Sequence, residues 1–561
     1  MSTSSPLRLR MDSPFRALLH TNNVPSGRER HQIRYLLDES QVELDKLTQE
    51  ITKLQSLLDI TSKKRADLQD FMDPHEALLS PARRLPDDIV RVIFLASLPE
   101  TRNSALVPQE SPLLVSQICG AWRNIALSTP RLWAASYIVV PTQSKLAQLK
   151  EQVSLWLTRS GAVPLSISIR LSGTAFSHDG PCDITSLLEL LVGESRRWCH
   201  IDVSLPPKTT NCLVGMLSPR DVPLLQSMVL RHNTARRRYI RTTVTSESPA
   251  PLSFLGTGSL RSLTISSSSV TVRSPVSWGT LRHLSIERGG LERPLGLTHA
   301  VALTILSQCQ RLESCELSFV HVRKALDSTG SIPDSPSVPY FTLPHLTALT
   351  LIIQMQAIGD HTRFFHHASL PALRSLHCQG AHDNGPSLRQ SFLPDDLSNI
   401  ESLTLDIQAL PRDLLLEALL EMHALRELRI VKEPFTPQII QIGDIVVEPP
   451  PPLPEWLTYL HVPEPNLRAV CPRLQKFELN LFRTMPDADI VQLIRSRYRA
   501  PDVVSLEKFA CYSNLGKPES GGDIASQLQE EVDGGLELVL EWRPRKARMQ
   551  IVYSALEGVT V

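Results

Sequence analysis

The residues that come closest to a chemical cluster are His361, His366, His367, His377, Cys378 and His382. Imidazoles and a thiolate are the donors zinc prefers, and their number would suffice for a tetrahedral site. Their spacing matches no zinc module, however, and the strand pattern described below puts Cys378 in the apolar core. No metal or other cofactor is therefore expected. Cys119 is the candidate nucleophile, but it lies on the apolar stripe of a predicted helix and reads as a buried structural thiol. With Cys182, Cys199, Cys212, Cys309, Cys315, Cys471 and Cys511 the total is nine, an odd number with no CxxC pair. That usage fits reduced intracellular thiols better than a disulfide frame. Neither GxGxxG nor GxxxxGK(S/T) occurs, so no phosphate cradle is signalled, and G-x-S-x-G and HExxH are also absent. The expectation is a chain that binds rather than transforms.

Charge points the same way. Lys+Arg and Asp+Glu both number 58 in 561 residues, so no global basic field attracts nucleic acid or an anionic membrane. Arg8, Arg10 and Arg16 interrupt any N-terminal signal sequence, and no apolar run is long enough to span a bilayer. A cytoplasmic or nuclear protein, or both, is expected. The length demands several domains or a long repeat.

The elements that would position binding residues follow one template: apolar, two others, apolar, one other, apolar. It fits Leu225/Met228/Leu230, Leu260/Leu263/Ile265, Leu281/Leu284/Ile286, Leu312/Cys315/Leu317, Leu346/Leu349/Leu351 and Leu373/Leu376/Cys378. It continues at Ile400/Leu403/Leu405, Leu425/Leu428/Ile430, Leu457/Leu460/Val462, Leu474/Phe477/Leu479 and Leu506/Phe509/Cys511. Upstream, strands are predicted at Ser136–Val140, Pro164–Leu171 and Trp198–Val203, with helices at Ser144–Arg159 and Ile184–Val192. Downstream, a helix at Ile524–Val532 and a strand at Gly534–Trp542 would cap the array. The template looks like the core of leucine-rich repeats, in a degenerate and unevenly spaced form. Residues 136–561 are thus expected to be an irregular repeat solenoid in an α/β fold, in which neighbouring units bury one another's apolar edge.

Residues between the template positions would face outward. Toward the C-terminal end of this column stand His377, Glu427, Arg429, Tyr459, His461, Lys476 and Glu478, a mixed polar, charged and aromatic set suited to protein recognition. Four segments read as surface connections: basic Arg236–Arg241, Ser/Pro-rich Ser328–Pro339, the polyproline II stretch Glu448–Pro454 and basic Arg543–Arg548.

Residues 1–27 are polar and expected to be disordered. In residues 28–73, Leu37, Leu44, Ile51 and Leu58 recur every seven, with Ile33, Leu47, Leu54 and Leu68 in a second register. Charged residues flank this a/d seam of a coiled coil, and Ser40 and Thr61 are its weak points. It serves either self-association through residues 33–68, pairing with another helix, or packing back on the helices that follow. Pro74 and Pro81 are expected to end it.

Residues 80–135 read as three short helices. Leu85-Pro86 precedes a first turn carrying Asp87 and Asp88, then an apolar stripe of Ile89, Val92, Ile93 and Ala96. Ser111-Pro112 opens a second stripe of Leu114, Ile118, Ala121, Trp122 and Ile125, and Thr129-Pro130 a third turn with Leu132 and Trp133. These residues resemble an F-box, and more narrowly the fungal pattern that ends in Trp122-Arg123 and Pro130-Arg131-Leu132-Trp133. The departure is the link Glu100–Glu110, longer than the compact pattern.

The resemblance implies docking on the Skp-family adaptor of a cullin ubiquitin ligase. The docking residues would be Leu85, Pro86, Ile89, Ile93, Phe94, Ile118, Cys119, Trp122, Leu132 and Trp133. The repeats would bind a protein substrate, and the chain would be a non-catalytic substrate receptor. The alternative is a scaffold protein whose F-box does not dock on a ligase.

Overall fold

The computed structural model describes residues 13–141, 143–171, 184–232, 251–266, 275–287, 297, 299–319, 340–353, 365–379, 393–394, 396–406, 412–431, 460, 469–481, 487–498, 500, 503–513 and 524–542. The fold is mixed α/β, with twelve α-helices among the described residues and one long parallel sheet that does not close into a barrel. No helix among them is long and apolar enough to cross a membrane. The chain divides into two compact units, Met1–Val90 and Arg91–Val561.

The first unit is dominated by α1 (Gly27–Leu79). A capping box starts it. The Ser26 hydroxyl accepts from the Glu29 amide at 3.3 Å, and the Glu29 carboxylate accepts from the Ser26 amide at 2.8 Å. Two orphan donors of the first turn are thereby satisfied. The Ser26 hydroxyl also donates to the Glu29 carboxylate at 2.6 Å, and this bond, with that from the Ser26 amide, holds the Glu29 carboxyl below its usual range. The helix does not stop at Pro74, as expected, but runs through it to Leu79 and ends at Ser80-Pro81. One missing N–H costs a long helix a single rung. No α1 side chain is buried.

Among its described residues, the second unit has fourteen parallel strands in one sheet. In chain order they are β1 (Ala135–Val140), β2 (Leu165–Leu171), β3 (Trp198–Leu205), β4 (Ser227–His232), β5 (Ser262–Ser266), β6 (His283–Glu287) and β7 (Ser314–Phe319). After the two-residue β8 (Phe341–Thr342) come β9 (Ala348–Ile353), the two-residue β10 (Ala368–Ser369), β11 (Ser375–Gln379), β12 (Ser402–Asp406) and β13 (Glu427–Val431). β14 (Lys476–Leu481), β15 (Lys508–Ser513) and β16 (Glu537–Trp542) complete it. β8 and β10 pair only with each other; all the rest are neighbours in chain order.

The register explains the template. Met228, Leu263, Leu284, Cys315, Leu349, Leu376, Leu403, Leu428, Phe477 and Phe509 lie opposite one another from strand to strand. So do the apolar residues two positions on, from Leu230 to Cys511. Alternate strand residues share a face, so these two ladders and the leading residues Leu225 to Leu506 enter one core with the helices. One template departs. Leu457/Leu460/Val462 lies outside the described strands, and β13 pairs directly with β14. Of that triplet only Leu460 is described, and it is fully buried.

The helical segment ahead of β1 comprises α2 (Asp87–Ala96), α3 (Leu113–Ile118), α4 (Gly120–Leu127) and a 3-10 turn, Pro130–Trp133. The second predicted stripe is broken at Cys119. Its backbone is extended (φ −158°, ψ 169°), and its Sγ accepts the Trp122 amide at 3.5 Å as the cap of α4. Cys119 is therefore an exposed capping residue, not a buried member of a helix stripe.

The long link is structured. The Glu110 carboxylate accepts from both Arg102 guanidinium nitrogens, at 2.9 and 2.6 Å, and from the Ala105 amide at 2.8 Å. Asn103 bonds to Ser166 and Ser168 of β2, each at 2.9 Å. The Tyr137 amide of β1 donates to Ser104 at 2.7 Å.

Candidate functional site

Two surfaces contain the residues singled out by sequence: the helical segment and the outward-facing rows of the sheet. On the helical segment the apolar residues divide. Phe94, Leu132 and Trp133 are fully buried and cannot serve as a docking surface, which corrects their assignment as contact residues. Phe94 meets Trp122 edge-on at 5.1 Å. Trp133 donates its indole N–H to the Ala126 carbonyl at 2.9 Å and meets Trp156 edge-on at 4.9 Å, with the Arg159 guanidinium 4.6 Å above the ring. Trp122 is half-buried.

The others are outside. Ile93 on α2 is 42 % exposed and Ile118 on α3 is 57 % exposed. Val92 and Leu114 are exposed beside them in sequence, as are Leu85, Pro86 and Ile89 in the segment before. The amphipathic pattern of α2 explains the split: Val90 and Phe94, four apart, go inward, and Ile89, Val92 and Ile93 stay in solvent.

On the sheet, four of the predicted recognition residues come together as ion pairs across β13 and β14. Arg429 Nε is 2.8 Å from Glu478 Oε1, and Lys476 Nζ is 2.5 Å from Glu427 Oε1. Glu427 raises the pKa of the Lys476 ammonium. Both pairs are solvated, so they set charge pattern rather than stability. His377 stands in the same row as Arg429, two strands away. Burial lowers its pKa, its bond to Gln379 opposing, and the ring is neutral at pH 7. Its Nε2 is buried with no hydrogen-bond partner.

His377 and the buried Cys378 are adjacent on β11 and so face opposite sides of the sheet; they cannot share a metal ion. His361, His382, Tyr459 and His461 lie outside the described residues, as do the segments Arg236–Arg241, Ser328–Pro339, Glu448–Pro454 and Arg543–Arg548.

Sequence reasoning misses a second charged group at the start of the sheet. Arg231 of β4 grips Glu287 of β6 with Nη2 at 2.8 Å and Nε at 3.0 and 3.1 Å. Its Nη1 also lies 3.8 Å from Asp202 of β3, which is 3.6 Å from Arg170 of β2. The Glu287 bond raises the pKa of Arg231. Tyr137, in the same row as Asp202, is buried; its hydroxyl and Asp202 Oδ1 have no partner. Burial raises the Tyr137 pKa. The signal is present in the sequence: these charges alternate with Ile167, Ile169, Ile201, Val203, Met228 and Leu230 as regularly as the later ones do.

None of these groups is a nucleophile beside a base. Burial pushes the thiols of Cys309, Cys378 and Cys471 up to about 12 and that of Cys511 to about 11, which keeps them unreactive. Among the described cysteines, only Cys119 and Cys212 are exposed. Alkylation of the native chain by iodoacetamide, read by peptide mass mapping, is expected to modify these two and to reach Cys309, Cys315, Cys378, Cys471 and Cys511 only after denaturation. Rapid native labelling of any of the five would contradict the packing of the core. The surfaces offered are apolar knobs on the helical segment and two patterned charge groups on the sheet.

No family model matches the chain, and no curated protein matches it in sequence.

Proposed function

We propose that the chain is a non-catalytic substrate receptor, whose F-box-like helical segment docks on a Skp-family adaptor of a cullin ubiquitin ligase and whose sheet binds a protein substrate. The observation that carries this reading is the exposure of Ile93 and Ile118 in a segment whose Phe94, Leu132 and Trp133 are fully buried. Apolar side chains left in water on a well-packed module mark a protein-docking surface. Leu85, Pro86 and Ile89 of the first unit are exposed as well; Trp122 and Cys119 contribute through the helix turn they hold. The buried three act by fixing the knobs.

Substrate contact falls to the outward rows, with Arg170, Asp202, Arg231 and Glu287 at one end and Glu427, Arg429, Lys476 and Glu478 at the other. Complementary charge patterns confer specificity and association rate more than raw affinity. Such a receptor accelerates ubiquitin transfer by raising the local concentration of substrate lysines next to a ubiquitin-loaded enzyme held elsewhere in the ligase. It works in the cytoplasm or nucleus.

The test replaces Leu85 and Ile93 with aspartate in the full chain. Burying two carboxylates in an apolar contact is expected to weaken adaptor capture by about 100-fold or more, with the far-UV circular dichroism unchanged. Equal adaptor binding by both chains would refute docking through this segment. Capture of the adaptor without a cullin would instead favour a scaffold that does not serve a ligase.

A further inference from the structure

We propose that α1 pairs with α1 of a second copy of this chain as a parallel, in-register, two-stranded coiled coil. The helix is 53 residues long, about 80 Å at 1.5 Å per residue, and buries none of its own side chains. Its a positions Leu37, Leu44, Ile51 and Leu58 are 55–67 % exposed. Its d positions Leu47 and Leu54 are exposed too, and Ile33 is half-exposed. Seven such residues on each of two helices, at on the order of 100 Å² apiece, remove from water about the 1,000 Å² that a specific interface needs.

The polar layers of the seam are prepared for burial. The Ser40 hydroxyl donates to the Leu36 carbonyl at 2.8 Å and the Thr61 hydroxyl to the Leu57 carbonyl at 2.7 Å. Each enters an interface with its donor already satisfied. In register, Ser40 faces Ser40 and Thr61 faces Thr61, and every other layer from Ile33 to Leu58 is apolar on both sides.

The flanking charges choose the direction. In the parallel arrangement each g residue faces the e residue five positions later on the partner helix. Glu43 then meets Thr48, Glu50 meets Gln55 and Lys64 meets Gln69, while Glu29 meets Arg34 with opposite charge. No like charges meet at these g and e positions; the like-charged layers are Arg30 and Arg65, a positions toward the two ends of the seam. The antiparallel arrangement that overlays the same apolar layers sets Leu44 against Leu47 but Ile51 against Ser40 twice, and brings Glu43 against Glu50 twice beside the centre of the contact, with Glu29 opposite Lys64 toward its ends. Pro74 lies beyond the last seam residue, Leu68, and leaves the contact undisturbed.

Light scattering on the full chain during size exclusion is expected to give twice its 62.6 kDa. Leu47→Asp with Ile51→Asp should return a single-copy mass, with the sheet intact by circular dichroism. Direction is read separately. Oxidised Leu44→Cys chains should form a disulfide-linked dimer well above the background of the unaltered chain. A single-copy mass for the unaltered chain, a mass of three or more copies, or a dimer that survives the double substitution would overturn the proposal. So would cross-linking seen only when Leu44→Cys and Leu47→Cys chains are mixed, because it would mark an antiparallel pair.

Discussion

Truncation of Trp133 to alanine is expected to destabilise the junction between the helical segment and the sheet by about 3–5 kcal/mol. The ring is fully buried and has contacts on every side: the Ala126 carbonyl accepts its N–H, Trp156 of α5 (Leu146–Arg159) meets it edge-on, and Arg159 lies over its face. Alanine would leave a cavity and a partnerless indole, and the Ala126 carbonyl would keep only its backbone bond from the Thr129 amide. An edge-to-face pair alone is worth about 0.5–1.5 kcal/mol beyond its area. Hydrogen exchange in α5 and β1 should rise in the variant, and urea unfolding should begin earlier. Trp133→Phe keeps most of the ring and loses only the N–H bond, so it should cost about 1 kcal/mol. A loss below 1 kcal/mol for alanine would show that this ring does not anchor the junction. The same substitution should weaken adaptor capture indirectly, through loosened helices, whereas the aspartate variants act at the surface itself.

Arg497 carries the second large effect. It sits on the helix Asp487–Tyr498 and is almost completely buried. Its guanidinium donates to three backbone carbonyls, of Leu460 at 2.7 Å, Cys471 at 3.1 Å and Val470. Burial lowers its pKa, but a guanidinium stays charged across the physiological range. Cys471 has left-handed backbone (φ 49°), which costs a non-glycine residue about 1–2 kcal/mol. The Arg497 bond to its carbonyl helps to hold it there. Arg497→Met keeps the volume and strands the Leu460 and Val470 carbonyls at about 1–3 kcal/mol each, discounted for water that enters, while the Cys471 carbonyl keeps its bond from the Leu474 amide. The expected net loss is about 3–5 kcal/mol, read as faster hydrogen exchange and proteolysis in β14 and β15. Arg497→Lys should recover part of it. Unchanged protection in β14 and β15 would refute the assignment.

How far the sequence carries depends on the range of the interaction. Alternation along a strand is local, so spacing alone assigns the template residues from Met228 to Cys511 to the core, and the register places them there. The same local logic identifies the exposed Ile93 and Ile118 as members of the helical segment but cannot separate them from Phe94 and Trp133. Which apolar residues pack inward depends on neighbours far along the chain, such as Trp156. Cys119 shows a similar limit: helical spacing on both sides hides an extended residue between two short helices. The triplet Leu457/Leu460/Val462 has the right spacing, but whether a segment joins the sheet is decided by pairing, and β13 has β14 as its neighbour. Arg497 is invisible for the same reason, because nothing adjacent marks an arginine whose partners are carbonyls 26 to 37 residues away.

A parallel sheet this wide has two rims, and every rim exposes backbone donors and acceptors that another polypeptide can use as a template. At β1 the rim is partly sealed from within. Ala105 forms an isolated bridge with Tyr137, Ser104 takes the Tyr137 amide, and Glu110 holds the strap by the Ala105 amide. The extra length of the link thus works as a selvedge. It spends a few residues to keep the first strand from recruiting a stranger's strand, and so protects the molecule from polymerising through that margin.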